Sequence, residues 1–92
     1  MPKPIQLRVV TAEGQALSDE AVSVVAPGAL GYLGILSNHA PLVTTLQPGK
    51  LLWRRPSGER LVSHLAGGLL EVTKNQVTIL TDQLSQPSGH PR

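Results

Sequence analysis

The three histidines of this 92-residue chain are the side chains most able to hold a metal ion. They stand at His39, His64 and His90, without the close spacing of a zinc-binding helix or knuckle. The chain has no cysteine, so a thiolate site and a disulfide framework are both excluded. We therefore predict no metal site.

A Ser-His-Asp arrangement could be assembled from Ser37 or Ser63, one of these histidines, and Asp19 or Asp82. No nucleophile-elbow motif favours any combination. Asp19 and Glu20 are adjacent, but they lie in a turn-like stretch and are predicted to be solvated rather than a catalytic pair. The sequence therefore predicts no catalytic residue.

Gly28, Gly31 and Gly34 recur every third residue, which invites comparison with dinucleotide-binding loops. No helical pattern follows them and no Walker lysine is present, so they predict an irregular loop rather than a phosphate or cofactor site. Trp53 to Arg55 could stack on a base and bind phosphate, but the chain has one Trp and one Tyr. With a net charge of only +2, we predict no nucleic-acid binding.

Short strands separated by turn signals must position these residues. Alternating or β-branched runs predict strands at residues 5–10, 21–26, 42–46, 50–55, 60–66, 69–73 and 76–81. The best helix candidate, residues 15–22, also fits strand alternation. The pattern predicts an all-β sandwich or barrel over residues 1–84, and residues 85–92 are predicted to be a disordered tail.

The core is predicted to be aliphatic, because the chain contains no Phe. No apolar run approaches the roughly 20 residues needed to cross a bilayer. We therefore expect a soluble or peripheral protein.

One long, ordered stretch carries a family resemblance. Residues 24–42, VVAPGALGYLGILSNHAPL, resemble the signature of the epsilon subunits of F-type ATP synthases. The likeness continues in register at residues 7–14 (LRVVTAEG), 46–49 (LQPG), 66–72 (AGGLLEV) and 77–82 (VTILTD). It covers residues 5 to 84 and is far more specific than a lone glycine motif.

The resemblance implies a sandwich of two antiparallel sheets and a non-catalytic role. Such subunits belong to the central stalk, where they link the gamma subunit to the c-ring in proton- or sodium-driven ATP synthesis. In the family the alpha and beta subunits carry the nucleotide chemistry, so no cofactor is expected in this chain. The resemblance implies that it meets those two subunits only indirectly. The implied location is peripheral, on the cytoplasmic face of the bacterial inner membrane or on an organellar coupling membrane.

The resemblance also implies two sets of partner-binding residues. The gamma-facing positions are Thr11, His39, Thr44, Ala66 and Glu71. The positions toward the c-ring are the loop residues Gly31, Tyr32, Leu33 and Gly34.

Alternatives to these roles stay open at this stage. His39 could serve to shape its own loop, Gly67 and Gly68 could form a bulge, and Glu71 could be an ordinary outward strand residue. Tyr32 stands where many family members carry an acid, and Ser37 with Asn38 replaces a common Pro-Gly. The two-helix C-terminal domain that usually follows in the family is not part of these 92 residues, so we expect neither inhibition nor ATP sensing from them.

Two other classes of function remain to be weighed. A free-standing β-barrel module for oligosaccharide or nucleic acid would require a clustered aromatic face. An enzyme would require a pocket in which titratable groups converge.

Overall fold

The chain forms strands and turns throughout residues 3–90, the part that our computed structural model describes. It has eight strands and, within these residues, no helix, which confirms the all-β prediction. The strands are β1 Ile5–Thr11, β2 Gly14–Ala21, β3 Ser23–Gly28, β4 Gly31–Leu36, β5 Leu42–Arg54, β6 Arg60–Thr73, β7 Gln76–Leu80 and β8 Ser88–Gly89.

Two strands differ from the sequence prediction in kind. The helix candidate at residues 15–22 is strand β2, paired antiparallel with β1. The expected loop from Gly31 to Gly34 is instead most of strand β4, which pairs with β3 along its whole length and leaves only Ala29 and Leu30 as the turn. The glycines are compatible with this because strand pairing uses only their backbone groups.

The strands are hydrogen-bonded in the order β2-β1-β7-β6-β5-β3-β4, with β8 on β6. The first half of β5 pairs with the second half of β6, beside β7, whereas their other halves pair beside β3. The long β5–β6 ribbon thus belongs to both layers of a sandwich. All neighbours are antiparallel except β1 and β7, which run parallel, so the expectation of purely antiparallel sheets is wrong for this one pair.

The core lies between the two layers and is a single cluster that is aliphatic, as predicted, except for Trp53. Alternate residues of β1, β7 and the second half of β6 meet inward residues of β3, β4 and β5. Its members are Ile5, Leu7, Val9, Ala21, Val24, Ala26, Ile35, Leu46, Leu51, Trp53, Leu61, Leu65, Leu70, Val72, Val77 and Ile79. These residues hold the layers together through burial of apolar surface.

The ribbon changes its inward face where it passes between the layers. On β6 the buried positions are odd-numbered up to Leu65 and then shift to Leu70 and Val72. Gly67 and Gly68 at this point have φ of 100° and 139°, values that residues with a side chain rarely adopt. The β5–β6 pairing keeps a single register on both sides of these glycines, so no bulge interrupts the ribbon here. Two pairs of predicted strands are each one continuous strand.

Residues 85–90, which fall within the predicted disordered tail, instead continue from Leu84 beside the first half of β6. Leu84 bridges to Leu65, and Ser88 and Gly89 pair with Val62 and Leu61. The buried hydroxyl of Ser63 donates to the Ser85 carbonyl oxygen at 2.7 Å. Sequence composition missed this because main-chain pairing needs no apolar side chain. Residues 1–2 and 91–92, which also belonged to the predicted domain and tail, lie outside the described residues.

A charged cluster ties the edge strand β2 to the opposite layer. Asp19 Oδ2 accepts hydrogen bonds of 2.8 Å from both Trp53 Nε1 and Arg55 Nε. Partial burial alone would raise the pKa of the Asp19 carboxyl, but the hydrogen bonds from Arg55, Trp53 and a backbone amide outweigh it. The net effect is a pKa below the ordinary value of 3.8.

Replacing Asp19 with asparagine is expected to lower the free energy of unfolding at neutral pH by about 1–2 kcal/mol, since Arg55 is partly exposed. A lowered folded pKa means that the contribution is complete above about pH 4 and is lost as the pH falls through the folded pKa. Urea denaturation across this pH range should show that the unfolding free energies of the wild type and of Asp19→Asn become equal in acid. Glu20→Gln, a change at the exposed neighbour, is the control, and a difference that is constant with pH would contradict the assignment.

Candidate partner-binding surfaces

The outer side of the β1-containing layer carries an apolar patch, which we call the β6–β7 face: Val43, Leu69, Glu71, Thr78 and Leu80. Strand pairing aligns Val43 with Glu71 and Thr78, and Leu69 with Leu80. Val43, Leu69 and Leu80 are 64%, 38% and 48% exposed, in a chain where most large apolar residues are buried. Exposed apolar side chains grouped on one sheet face are typical of a protein-protein contact.

A groove extends this face toward the edge of the layer. It is shared by Leu69, Leu80, Thr11 and Ala66, and a smaller hollow on its other side is lined by Glu71 with the same two leucines. Thr11 Oγ1 donates to Glu13 Oε1 at 3.1 Å, which fixes the β1–β2 turn beside the groove. The structure therefore brings three predicted residues, Thr11, Ala66 and Glu71, onto one continuous surface.

The other two predicted gamma-side residues lie apart from this surface. Thr44 pairs with the buried Leu70, so strand alternation points it to the other side of the layer from Glu71. The Nδ1 atom of His39 is 2.7 Å from the Ala40 carbonyl oxygen, within the β4–β5 connection. These contacts favour the loop-shaping role that sequence analysis left open for His39.

The β3–β4 hairpin, residues 23–36, forms a second exposed apolar surface in the other layer. Leu30 at its tip is fully exposed, and Tyr32 and Leu36 are 57% and 64% exposed. All of the predicted c-ring residues, Gly31 to Gly34, lie on its second strand. Tyr32 and Leu36 share the outer side of that strand, whereas Ile35 faces the core.

The hairpin is braced against the β5–β6 ribbon. Gln47 Nε2 donates to the carbonyl oxygens of Gly28 and Ala29 at 3.1 and 2.8 Å. The Tyr32 hydroxyl accepts the Lys50 amide proton at 3.0 Å, and Gly49 leaves room for the Tyr32 side chain. The exposed apolar tip is therefore presented on a rigid support, which reduces the entropy lost when a partner binds.

Sequence analysis missed the apolar residues Val43, Leu69, Leu80, Leu30 and Leu36. A signal was available, because four of them stand next to another aliphatic residue within a strand. Since neighbouring strand residues face opposite sides, one of each pair must point outward. Only the turn residue Leu30 lacks this signal.

The structure also bears on the alternatives of nucleic-acid and metal binding that the sequence raised. Trp53 is 3% exposed and hydrogen-bonded to Asp19, so it cannot stack on a base as the nucleic-acid alternative required. Over residues 3–90 there is no group of three or more His, Asp or Glu side chains suited to a metal ion. No helix within this same range could span a membrane.

A β-sandwich with two separate, exposed apolar surfaces defines a protein-interaction module. The chain belongs to the family of ATP synthase delta/epsilon chain β-sandwich domains, whose sequence profile matches residues 4–87. This confirms the resemblance noted in the sequence.

Curated relatives agree with the family. The chain is 41% identical over 86 residues to the ATP synthase epsilon chain of Dichelobacter nodosus, covering 94% of this chain and 60% of the relative. It is 47% identical over 78 residues to that of Stenotrophomonas maltophilia, covering 85% and 56%. The chain thus spans less than two thirds of the length of these relatives.

Solved structures share the fold. A chain of the Euglena gracilis mitochondrial ATP synthase OSCP/F1/c-ring assembly superposes with a TM-score of 0.85 at 24% identity, covering 95% of this chain and 55% of that one. A chain of the Tetrahymena thermophila mitochondrial ATP synthase central stalk and c-ring gives 0.72 at 20% identity, covering 90% and 66%. At these identities the likeness concerns the fold alone.

Proposed function

We propose that this chain is a non-catalytic central-stalk subunit of an F-type ATP synthase that joins the gamma subunit to the c-ring. The observation that carries the proposal is the presence of two separate apolar surfaces on a chain of the epsilon family. A rotor subunit that transmits torque must bind two partners at once, and it needs one surface for each. The alpha and beta subunits are indirect neighbours in this assignment.

The β6–β7 face is assigned to the gamma subunit. It combines exposed Val43, Leu69 and Leu80 with one acid, Glu71, and continues into the groove beside Thr11 and Ala66. Interfaces of this kind gain most of their energy from a few buried anchors, with polar groups selecting the partner. Of the residues predicted from the resemblance, Thr11, Ala66 and Glu71 act here, and His39 and Thr44 support neighbouring backbone.

The β3–β4 hairpin is assigned to the c-ring. Leu30 and Tyr32 are its exposed anchors, and Gly31, Leu33 and Gly34 shape the strand that presents them. Tyr32 suits such a contact because an aromatic ring with a hydroxyl can pack and hydrogen-bond at once. Docked in this way, the subunit is peripheral to the coupling membrane, on the cytoplasmic face if the source is bacterial.

Binding of this chain to purified gamma subunit and to purified c-ring from the same source tests the proposal. Leu30→Ser is expected to weaken c-ring binding about tenfold or more and to leave gamma binding unchanged, because one apolar anchor is lost. Glu71→Arg should weaken gamma binding and leave c-ring binding unchanged. Both residues are exposed, so the thermal unfolding temperature should hardly move.

An outcome in which the well-folded chain binds neither partner at micromolar concentration would contradict the proposal. An equal loss of affinity for both partners in either variant would contradict it as well. Glu59, in the β5–β6 turn where it forms an ion pair with Arg55, belongs to neither surface and offers a matched control: Glu59→Gln should leave both affinities unchanged.

A further inference from the structure

The outer side of the layer opposite the β6–β7 face carries charge of one sign. Its outward positions on the β5–β6 ribbon include Lys50, Arg54, Arg60 and His64, and the chain brings His90 to the same side. Strand pairing places Lys50 directly opposite His64 and Arg54 directly opposite Arg60. Within the described residues, no Asp or Glu occupies an outward position of β3, β4 or these halves of β5 and β6.

The nearby acids are already engaged elsewhere. Arg55 Nε binds Asp19 Oδ2 at 2.8 Å, and its Nη1 binds Glu59 Oε1 at 2.7 Å. Across residues 3–90, neither Arg54 nor Arg60 has a carboxylate within ion-pair distance. Like charges directly opposite each other on a sheet are destabilising, so this arrangement has an electrostatic cost that a bound anion would relieve.

A shallow cavity lies at this pair of arginines. It measures about 260 Å³ and is lined by Arg54, Arg60, His90 and Ser23, with Val25 and Leu52 at its base. The His90 amide donates to the Arg60 carbonyl oxygen at 2.9 Å, which holds the end of the described chain against the cavity. Cationic, imidazole and hydroxyl groups thus converge on one concave site.

We propose that this cavity binds a phosphate-bearing anion. Two guanidinium groups can each form paired hydrogen bonds to phosphate oxygens, which is the geometry that arginine supplies and lysine does not. The Ser23 hydroxyl and the His90 ring complete the set of polar groups around the anion. The site lies on the opposite layer from the proposed gamma surface, and it does not rest on the proposed function.

Two sources share this chemistry, a soluble phosphate compound and the headgroup of an anionic phospholipid. Pyrophosphate is the soluble probe, followed by amide chemical shifts of the isotope-labelled chain. Vesicles of phosphatidylglycerol, compared with vesicles of phosphatidylcholine, are the membrane probe. Saturable shifts centred on residues 23, 54, 60 and 90 are expected with pyrophosphate if the source is soluble. Binding to phosphatidylglycerol vesicles without a pyrophosphate response assigns the site to a headgroup.

The double variant Arg54→Gln with Arg60→Gln should weaken whichever binding is seen by at least about tenfold, because charge-assisted hydrogen bonds are lost. The double variant Arg8→Gln with Lys74→Gln makes the same change in net charge away from this site. It should weaken binding of the probe by less than about twofold. An equal loss in the two double variants would show general charge attraction and overturn the proposal. Failure of the wild type to respond to either probe at about 10 mM phosphate would overturn it as well.

Discussion

Replacing Gly68 with alanine is expected to lower the free energy of unfolding by about 3 kcal/mol or more, because the added methyl group would have no room. A Cβ atom at Gly68 would lie 1.9 Å from the Leu80 carbonyl oxygen, and the backbone φ there is 139°. Neither residue can move away easily, because Gly68 is paired with Leu46 of β5 and Leu80 is paired with Leu69 of β6. A domain of this size has a total stability of only about 5–10 kcal/mol, so much of the variant should be unfolded at 37 °C.

Gly34→Ala is the matched control for this change. Gly34 is also a strand glycine, but a Cβ atom there would meet nothing within 4 Å. Since alanine restricts the unfolded chain more than glycine does, Gly34→Ala should be neutral or slightly stabilising. Guanidinium denaturation of both variants gives the comparison, and equal stability of the two would show that the passage between layers does not depend on Gly68.

Replacing Leu69 and Leu80 together with aspartate is expected to weaken gamma binding by about 100-fold or more, or about 2.7 kcal/mol. The two leucines pair across β6 and β7 and link the groove beside Thr11 to the hollow beside Glu71. Aspartate at both positions removes the apolar anchors and adds two charges that the interface would have to desolvate. Isothermal calorimetry with purified gamma subunit measures the effect.

The control for this variant lies on the other surface. Leu36 is 64% exposed on β4, so Leu36→Asp adds a charge at a comparably exposed leucine without touching the β6–β7 face. Gamma binding should be unchanged in Leu36→Asp. If circular dichroism shows that the double aspartate variant is folded and it still binds gamma with the wild-type affinity, the assignment of the β6–β7 face to the gamma subunit is wrong.

The sequence predicted much of the sandwich, since alternation at residues 5–10 and 76–81 located β1 and β7. It failed at β4 because Gly31 and Gly34 weaken the alternation on which strand prediction depends. It divided β5 at Pro48-Gly49 and β6 at Gly67-Gly68, because Pro-Gly and Gly-Gly pairs are also typical of turns. The register that makes one ribbon serve two layers is a tertiary feature that local pattern does not contain.

The candidate surfaces were only partly predictable. The family motif predicted partner-binding roles for Glu71 and for residues 31–34, but position in a motif does not say on which side of a strand a residue points. That is why Thr44, beside the outward Val43, was grouped with Glu71 although it faces the other way. The basic cavity could not be read from the sequence, because Arg54, Arg60 and His90 meet only after β6 folds back and residues 84–90 run alongside it.

Site-specific labelling tests the two-surface account most directly, because the chain has no native cysteine. Single cysteines at Thr78, on the β6–β7 face, and at Leu36, on the hairpin, would be labelled with a maleimide in the free chain, in the gamma complex and in the c-ring complex. The account predicts that gamma slows labelling at position 78 and not at 36, and that the c-ring slows it at 36 and not at 78. Protection of the same position by both partners, or the reverse pattern, would contradict it.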